Sequence, residues 1–599
     1  MTIRSSHAGH LVRALVAATL GLSGLGAAGS AQASPVGDLV CAVTSLLQPV
    51  PLDDALESGL SAALVRTQNQ LSPTELEHLL EDDTTWVDPC AKVFVVDEAA
   101  PPAQASLSPA PVAEMPADVF DLSSRPGSNR TIYLDFDGAT YSGTRWRNGE
   151  EIVSPAYSVD GDPTTFSEVE RAQVYLAWQS VAEDYAPFDV NVTTRQPAPS
   201  ALTRTSASDP TYGMPVVITP TNSVGAGCGC GGVAYVGVLG NAAANDYAPA
   251  WVFTSGSGTN GYNVGQVVSH EVGHTFGLHH DGTSETAYYA GAKDWAPIMG
   301  ASYNRRASQW SSGEYPGANN TEDDLAIISK IAPALADDHA DGVVGATKVA
   351  VGSTTAGMIG TRADVDAFSF TAGGPVTLSV AGPAGYSNAD LRVRVVDALG
   401  QPVATIDPTA DTASDASMSA VWSVQLPATA TYTALVEGVG NGNPGEAGRY
   451  SDYGSIGSYT VSLAAGLVAS PPPTTPTTPT TPGTSTPTTP TTGGSMPPAG
   501  MPKGSMGNAG ADASSSIAFL TRKLPAARVG RKYRATIRFT GEVTEARLDY
   551  RLPQGLKWRT AGDRILISGT VTRRATSRFT AELSGADGAT RMKYRLVVR

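Results

Sequence analysis

Residues 270–282 read HEVGHTFGLHHDG, and four of the chain's eight histidines lie in this one stretch. On a helix His270 and His274 are i and i+4, so their imidazoles project from one face close enough to share one ion. Glu271 lies beside them and can reach a water on that ion without ligating it. Gly277, three residues after His274, can take a positive φ, end the helix and swing the chain back. The third ligand is then His280, at the eleventh position, and His279 is a flanking residue. Asp281 is expected to hydrogen-bond locally. Three neutral imidazoles plus a water give a tetrahedral site with one open position, the arrangement of catalytic rather than structural zinc. Such an ion lowers the pKa of its water toward about 7 and polarises a carbonyl, while Glu271 takes the proton and later passes it to a leaving amine.

A helix beginning near Asn263 or Val264 must carry these residues, behind strand-like runs VNVTT, PVVIT, VAYVGVL and APAWVFT. The run TIYLDFDG reads as a strand ending in a turn. FSEVERAQVYLAWQSVAEDYAPF has apolar residues at helical spacing. Upstream, SPTELEHLL is a capping box, with Ser72 as N-cap, Pro73 at the first helical position and Glu75 three residues after the cap. A Pro/Ala-rich stretch follows it, so 34–118 reads as a helical propeptide on a cleavable tether, with a small accessory domain as the plainer alternative.

The extended pattern H-E-x-x-H-x-x-G-x-x-H-D resembles the metzincin clan of zinc endopeptidases, in its reprolysin-like branch. The resemblance covers Asn129 to Lys330 and is closest to secreted bacterial metalloproteases. It implies a methionine turn beneath the metal, which APIMGASY supplies as Met299. It also implies that GVAYVGVLG is the cleft edge that pairs with an extended substrate, although an ordinary buried strand fits that run equally well. No tyrosine ligand is carried over, because position 301 is Ala and the nearest tyrosine is Tyr303. Further on, DVDAFSFTA, ATYTALVEG and YGSIGSYTVSL are similar to the bacterial pre-peptidase C-terminal domain. LPQGLKWRTAGDRILISGTV resembles immunoglobulin-like domains of bacterial surface proteins. Asp135, Asp137, Asp160 and Asp162 could bind calcium, against the plainer reading of strand-end turns.

At 599 residues the chain is too long for one core. The expected architecture is multidomain: an α+β metzincin-like catalytic domain, then two all-β sandwich domains, with a helical propeptide in front. The boundaries are 1–33 signal peptide, 34–118 propeptide, 119–338 catalytic domain, 339–468 pre-peptidase C-terminal-like sandwich, 469–515 Pro/Thr-rich linker and 516–599 basic Ig-like sandwich. Arg4 and Arg13 before the apolar run Ala14 to Ala28, ending in Ala31-Gln32-Ala33, have the form of a secretory signal cleaved after Ala33. Secretion permits disulfides, and Cys41–Cys90 is expected ahead of Cys228–Cys230. No other stretch is apolar enough for a membrane span, and a monomer is expected.

The net charge of −16 hides an asymmetry. Residues 517–599 hold 19 Lys/Arg and 6 Asp/Glu, an excess of 13 positive charges, so the rest carries −29. The acidic part argues against nucleic-acid binding. The basic part suits an anionic cell-envelope or polysaccharide surface, or serves only solubility. The leading function is a secreted zinc-dependent endopeptidase acting on polypeptides. The competing class is a surface- or matrix-binding protein with a protease-like scaffold domain, and the intact Glu271 separates the two, because a scaffold needs no base. A metallohydrolase with a non-peptide substrate has the same ligands.

Overall fold

The computed structural model describes residues 46–100, 115–466 and 518–599, with short breaks inside each range, together with Cys41 and Thr44. The expected signal peptide and Pro/Thr-rich linker lie outside the described residues.

The segment up to residue 100 is less helical than its sequence suggests. It holds helices Leu52–Glu57, Ala62–Asn69 and Pro73–Leu79, the last with the Ser72/Glu75 capping box. It also holds three strands, β1 (Val50–Pro51), β2 (Thr85–Val87) and β3 (Val93–Val96). Runs of two to four residues are too short to show a period. They are strands because of what they pair with. A disulfide joins Cys41 to Cys90, closing the segment just ahead of β3. Cys230 is disulfide-bonded as well.

The chain then forms β4 (Arg130–Asp135), a small antiparallel pair β5 (Ala139–Tyr141) and β6 (Ile152–Ser154), and β7 (Asn191–Thr193). β8 (Tyr212–Thr219), β9 (Gly232–Tyr235) and β10 (Ala250–Phe253) complete the domain's sheet. Eight strands share that sheet in the order β1-β2-β3-β9-β10-β8-β4-β7. The neighbours β10, β8, β4 and β7 are parallel, and β7 to β10 are buried throughout, which is why they read as apolar runs. β9 runs antiparallel to β10 and would be the domain's edge, but β3 covers it.

Two helices position the chemistry. One, Glu168–Asp184, starts from a capping box of Ser167 and Glu170. The other, Gly261–Phe276, is capped by the Asn260 side chain and carries the histidines. Glycines let them cross closely: a Cβ on Gly265 would lie 2.8 Å from Ser180 Cβ, and one on Gly261 would lie 2.3 Å from Gln173 O. At the crossing Ser269 Oγ donates to Asp184 Oδ2 at 2.6 Å and Tyr185 Oη donates to Ser269 O at 3.0 Å. These bonds fix the rotation of the helix one residue before His270.

In the following β domain the described residues hold strands and turns and no helix. Its seven strands form one sheet, because two of them, Val365–Ala381 and Ala420–Gly438, run far longer than the short runs in the sequence imply. The register shifts between Ala372 and Gly374, and a bulge of this kind lets a long strand bend around its core. This domain is bonded to the one that carries the histidine helix. Asn388 Nδ2 donates to Asp184 Oδ1 at 2.8 Å, Ser458 N donates to Glu183 Oε1 at 3.0 Å, and Tyr450 stacks on Trp295. Residues 518–599 form antiparallel sheets of four and three strands around a shared core. Among the described residues no helix is long and apolar enough to cross a membrane.

Candidate metal centre

The helix ends where the spacing places its end. Gly277 has φ +110° and donates its N–H back to Gly273 O and His274 O. The chain then reverses, and His280 returns to the two helical histidines. Ring centroids lie 4.8 Å apart for His270–His274, 4.8 Å for His274–His280 and 5.2 Å for His270–His280.

Each imidazole is held by its other nitrogen. His270 Nδ1 lies 2.8 Å from Ile298 O, and His274 Nδ1 lies 2.9 Å from Leu278 O. A carbonyl only accepts, so both Nδ1 atoms carry the proton and both Nε2 lone pairs are bare. His280 Nδ1 is 2.5 Å from Asp82 Oδ2. The three Nε2 atoms converge, with those of His274 and His280 3.1 Å apart. Burial holds the His274 imidazole down at about 4, so it is neutral, as a ligand must be. Burial also pushes His280 down, but the Asp82 and Asp97 carboxylates outweigh it and raise that ring to about 10. A cation at Nε2 would take the place of that proton.

Glu271 is fully buried beside this set, and neither of its oxygens makes a hydrogen bond. Burial first, and then the Asp97 carboxylate, hold its carboxyl well above the usual range. His270 Nε2 and Asp97 Oδ2 are likewise buried without a hydrogen bond. Unsatisfied buried polar groups cost about 1–3 kcal/mol each. A divalent cation among them removes that cost, so the residues present fit a metal. Met299 is fully buried under the helix: a Cβ on Gly273 would lie 2.6 Å from its Sδ, and its carbonyl accepts from Asp281 N at 2.8 Å.

Two residues of the histidine stretch face elsewhere. His279 Nδ1 pairs with Glu322 Oε1 at 2.5 Å. The buried Asp281 carboxyl lies beside Ser311 and Tyr315, and burial, with the Glu322 carboxylate, raises it to about 8. Asp135, Asp137, Asp160 and Asp162 form no metal-holding group. The other such grouping among the described residues is Asp337, Asp364 and Asp366.

Three residues near the centre escaped the sequence reading. Asp97 and Asp82 come from the segment before the catalytic domain. Tyr288 donates to Asp97 Oδ1 at 2.8 Å, with its ring 4.2 Å from that of His280. No spacing rule points to any of them. A fourth position, Gly232, was visible only as one glycine in a glycine-rich run. A Cβ there would lie 1.9 Å from Glu271 Oε1, so β9 passes the base with no room to spare. Gly232→Ala is expected to keep the metal but slow hydrolysis roughly 100-fold by displacing the base. Metal analysis and peptide hydrolysis on one preparation check it, and a wild-type rate contradicts it.

Three converging imidazoles, a buried carboxylate beside them and a methionine beneath make a set of side chains that fits a divalent cation. Residues 188–312 match Metallo-peptidase family M12B Reprolysin-like, which supports a metzincin-type metalloprotease. No curated protein matches the chain. Among solved structures it is similar over 13% of its length to an endo-fucoidan hydrolase of glycoside hydrolase family 107, at 24% identity, 15% coverage of that chain and TM-score 0.12. It is similar over 14% of its length to the titin M3 domain, at 18% identity, 96% coverage of that domain and TM-score 0.12. Scores this low carry no argument about fold or activity.

Proposed function

We propose that the chain is a secreted zinc-dependent endopeptidase, made as a proenzyme and acting on extracellular polypeptides. The observation that carries this reading is the convergence of three Nε2 atoms, from His270, His274 and His280, beside the donorless carboxylate of Glu271. A zinc ion held there supplies Lewis-acid polarisation of a carbonyl and a nucleophilic water near neutral pH. The chain's own residues do the rest. Glu271 takes a proton from the attacking water and delivers it to the leaving amide nitrogen. Gly232 leaves the base its room, and β9 offers an edge whose backbone can pair with an extended peptide whatever its side chains.

The test uses chain freed of residues 34–118, with zinc content and hydrolysis of a fluorogenic peptide measured together. One zinc per chain, with hydrolysis abolished by a chelator and restored by zinc, is expected. Hydrolysis indifferent to the chelator overturns the reading. N-terminal sequencing of the active extracellular enzyme should find a start beyond about residue 118. Full activity in chain that begins at Ser34 contradicts the proenzyme.

The basic domain holds the enzyme on an anionic envelope or polysaccharide surface. Its arginines already meet carboxylates in this structure: Arg578 bonds Asp53 and Asp54, and Arg595 bonds Asp53 at 2.9 Å, all in the segment to be removed. Removal of that segment takes these carboxylates away from the basic domain. Retention of the mature enzyme on an acidic polysaccharide column should fall steeply as salt rises. Salt-independent retention, or none at low salt, contradicts it.

A further inference from the structure

β3 adds to β9 as an antiparallel strand, pairing Phe94 with Tyr235, Val95 with Ala234 and Val96 with Val233. The ladder continues into Asp97, whose N–H donates to Gly232 O and whose carbonyl accepts from Gly231 N, each at 3.0 Å. Backbone pairing therefore fixes the Asp97 Cα over the metal centre. Its side chain reaches all three histidines. Oδ2 lies 3.2 Å from His270 Nε2 and 3.8 Å from His274 Nε2, and Oδ1 lies 3.0 Å from His280 Nε2. Asp97, His270, His274 and His280 form one buried group with ligand atoms within 4.8 Å of each other. Asp97 Oδ2 has no hydrogen bond to explain its burial, whereas Tyr288 holds Oδ1. The same segment grips the centre from behind, through Asp82 on His280 Nδ1.

Resting on the metallopeptidase reading above, we propose that Asp97 is the fourth protein ligand of the metal in the uncleaved chain. Three imidazoles and a carboxylate close the tetrahedron, and closed four-ligand sets characterise structural zinc rather than catalytic zinc. Asp97 thus fills the coordination position that hydrolysis needs open, while β3 fills the edge that a substrate needs. No described cysteine can do this work, since Cys41, Cys90 and Cys230 are disulfide-bonded. Cleavage beyond Asp97 is not enough by itself. The strand must also leave β9, taking Asp97 and Asp82 with it.

The test compares the zinc-loaded, uncleaved full chain with its Asp97→Asn variant, which keeps the side-chain shape and the backbone ladder, and with Asp97→Ala. The first readout is zinc release to a chelator followed by a colorimetric metal dye. Both variants should release zinc at least roughly 10-fold faster than wild type, the scale for losing a supporting group at a metal site. The second is the visible spectrum of the cobalt-substituted uncleaved chain with added azide. The wild-type spectrum should not respond, and the Asp97→Asn spectrum should. Unchanged zinc release together with an azide response in the wild type would overturn the assignment. The cleaved, segment-free enzyme is assayed for peptide hydrolysis alongside. If it is inactive, the peptidase reading fails, while the release rates and cobalt spectra still decide whether Asp97 is a ligand.

Discussion

Glu271→Gln in the segment-free enzyme should bind about one zinc per chain and lose hydrolysis by roughly 10²–10⁴-fold, the range for a general base. Glutamine has the same shape and cannot accept the proton. The three ligands lie on other side chains, held by Ile298 O, Leu278 O and the chain reversal at Gly277. Nothing in that scaffold depends on the charge of residue 271, since no donor bonds to it. The loss should therefore fall on kcat, with the melting temperature little changed. Zinc content separates this from a structural role. If the substitution removes zinc along with activity, Glu271 holds the site together and is not the base.

The second large effect distinguishes two adjacent histidines. His280→Ala should weaken zinc binding by more than roughly 100-fold, beyond the range for residues that only support a ligand. His279→Ala should leave zinc affinity near wild type, because that ring faces Glu322. It should instead lower stability by about 1–3 kcal/mol, the cost of stranding a largely buried polar partner. Glu322 currently accepts from both His279 N–H and the His279 ring, contacts that hold its carboxyl down at about 2. Competition for zinc against a fluorescent chelator measures the first effect, and thermal unfolding of apo protein the second. Zinc loss in His279→Ala with zinc retained in His280→Ala would reverse the assignment.

What the sequence made legible was local. The i, i+4 histidines and the glycine that ends their helix are encoded at short range by helix geometry and a single φ, whereas Met299 was expected from the family resemblance alone. The Ser72/Glu75 capping box is equally local. The strands ahead of residue 100 were not legible, because VFVV becomes a strand only by pairing with β9, about 140 residues away. Asp97, which follows that strand, and Asp82, which precedes β2, are marked by no local spacing. The single sheet of the following domain was hidden for a related reason. A 17-residue strand with a bulge reads along the chain as two short ones. Glu183 and Asp184 show the same limit. Nothing at the end of that helix marks them for burial, yet the neighbouring domain bonds to both, and burial raises their carboxyls to about 8 and about 7.

Cut-site mapping tests most directly the proposal that His270, Glu271, His274 and His280 form a zinc peptidase centre. The segment-free enzyme is stripped of metal, reloaded with zinc and incubated with an unstructured protein, and new termini are identified by mass spectrometry. The Glu271→Gln variant is run in parallel. Internal cuts that need zinc and are missing from the variant are the predicted result. Enzyme that holds one zinc yet generates no new termini, or a variant that cuts as well as wild type, would contradict the account.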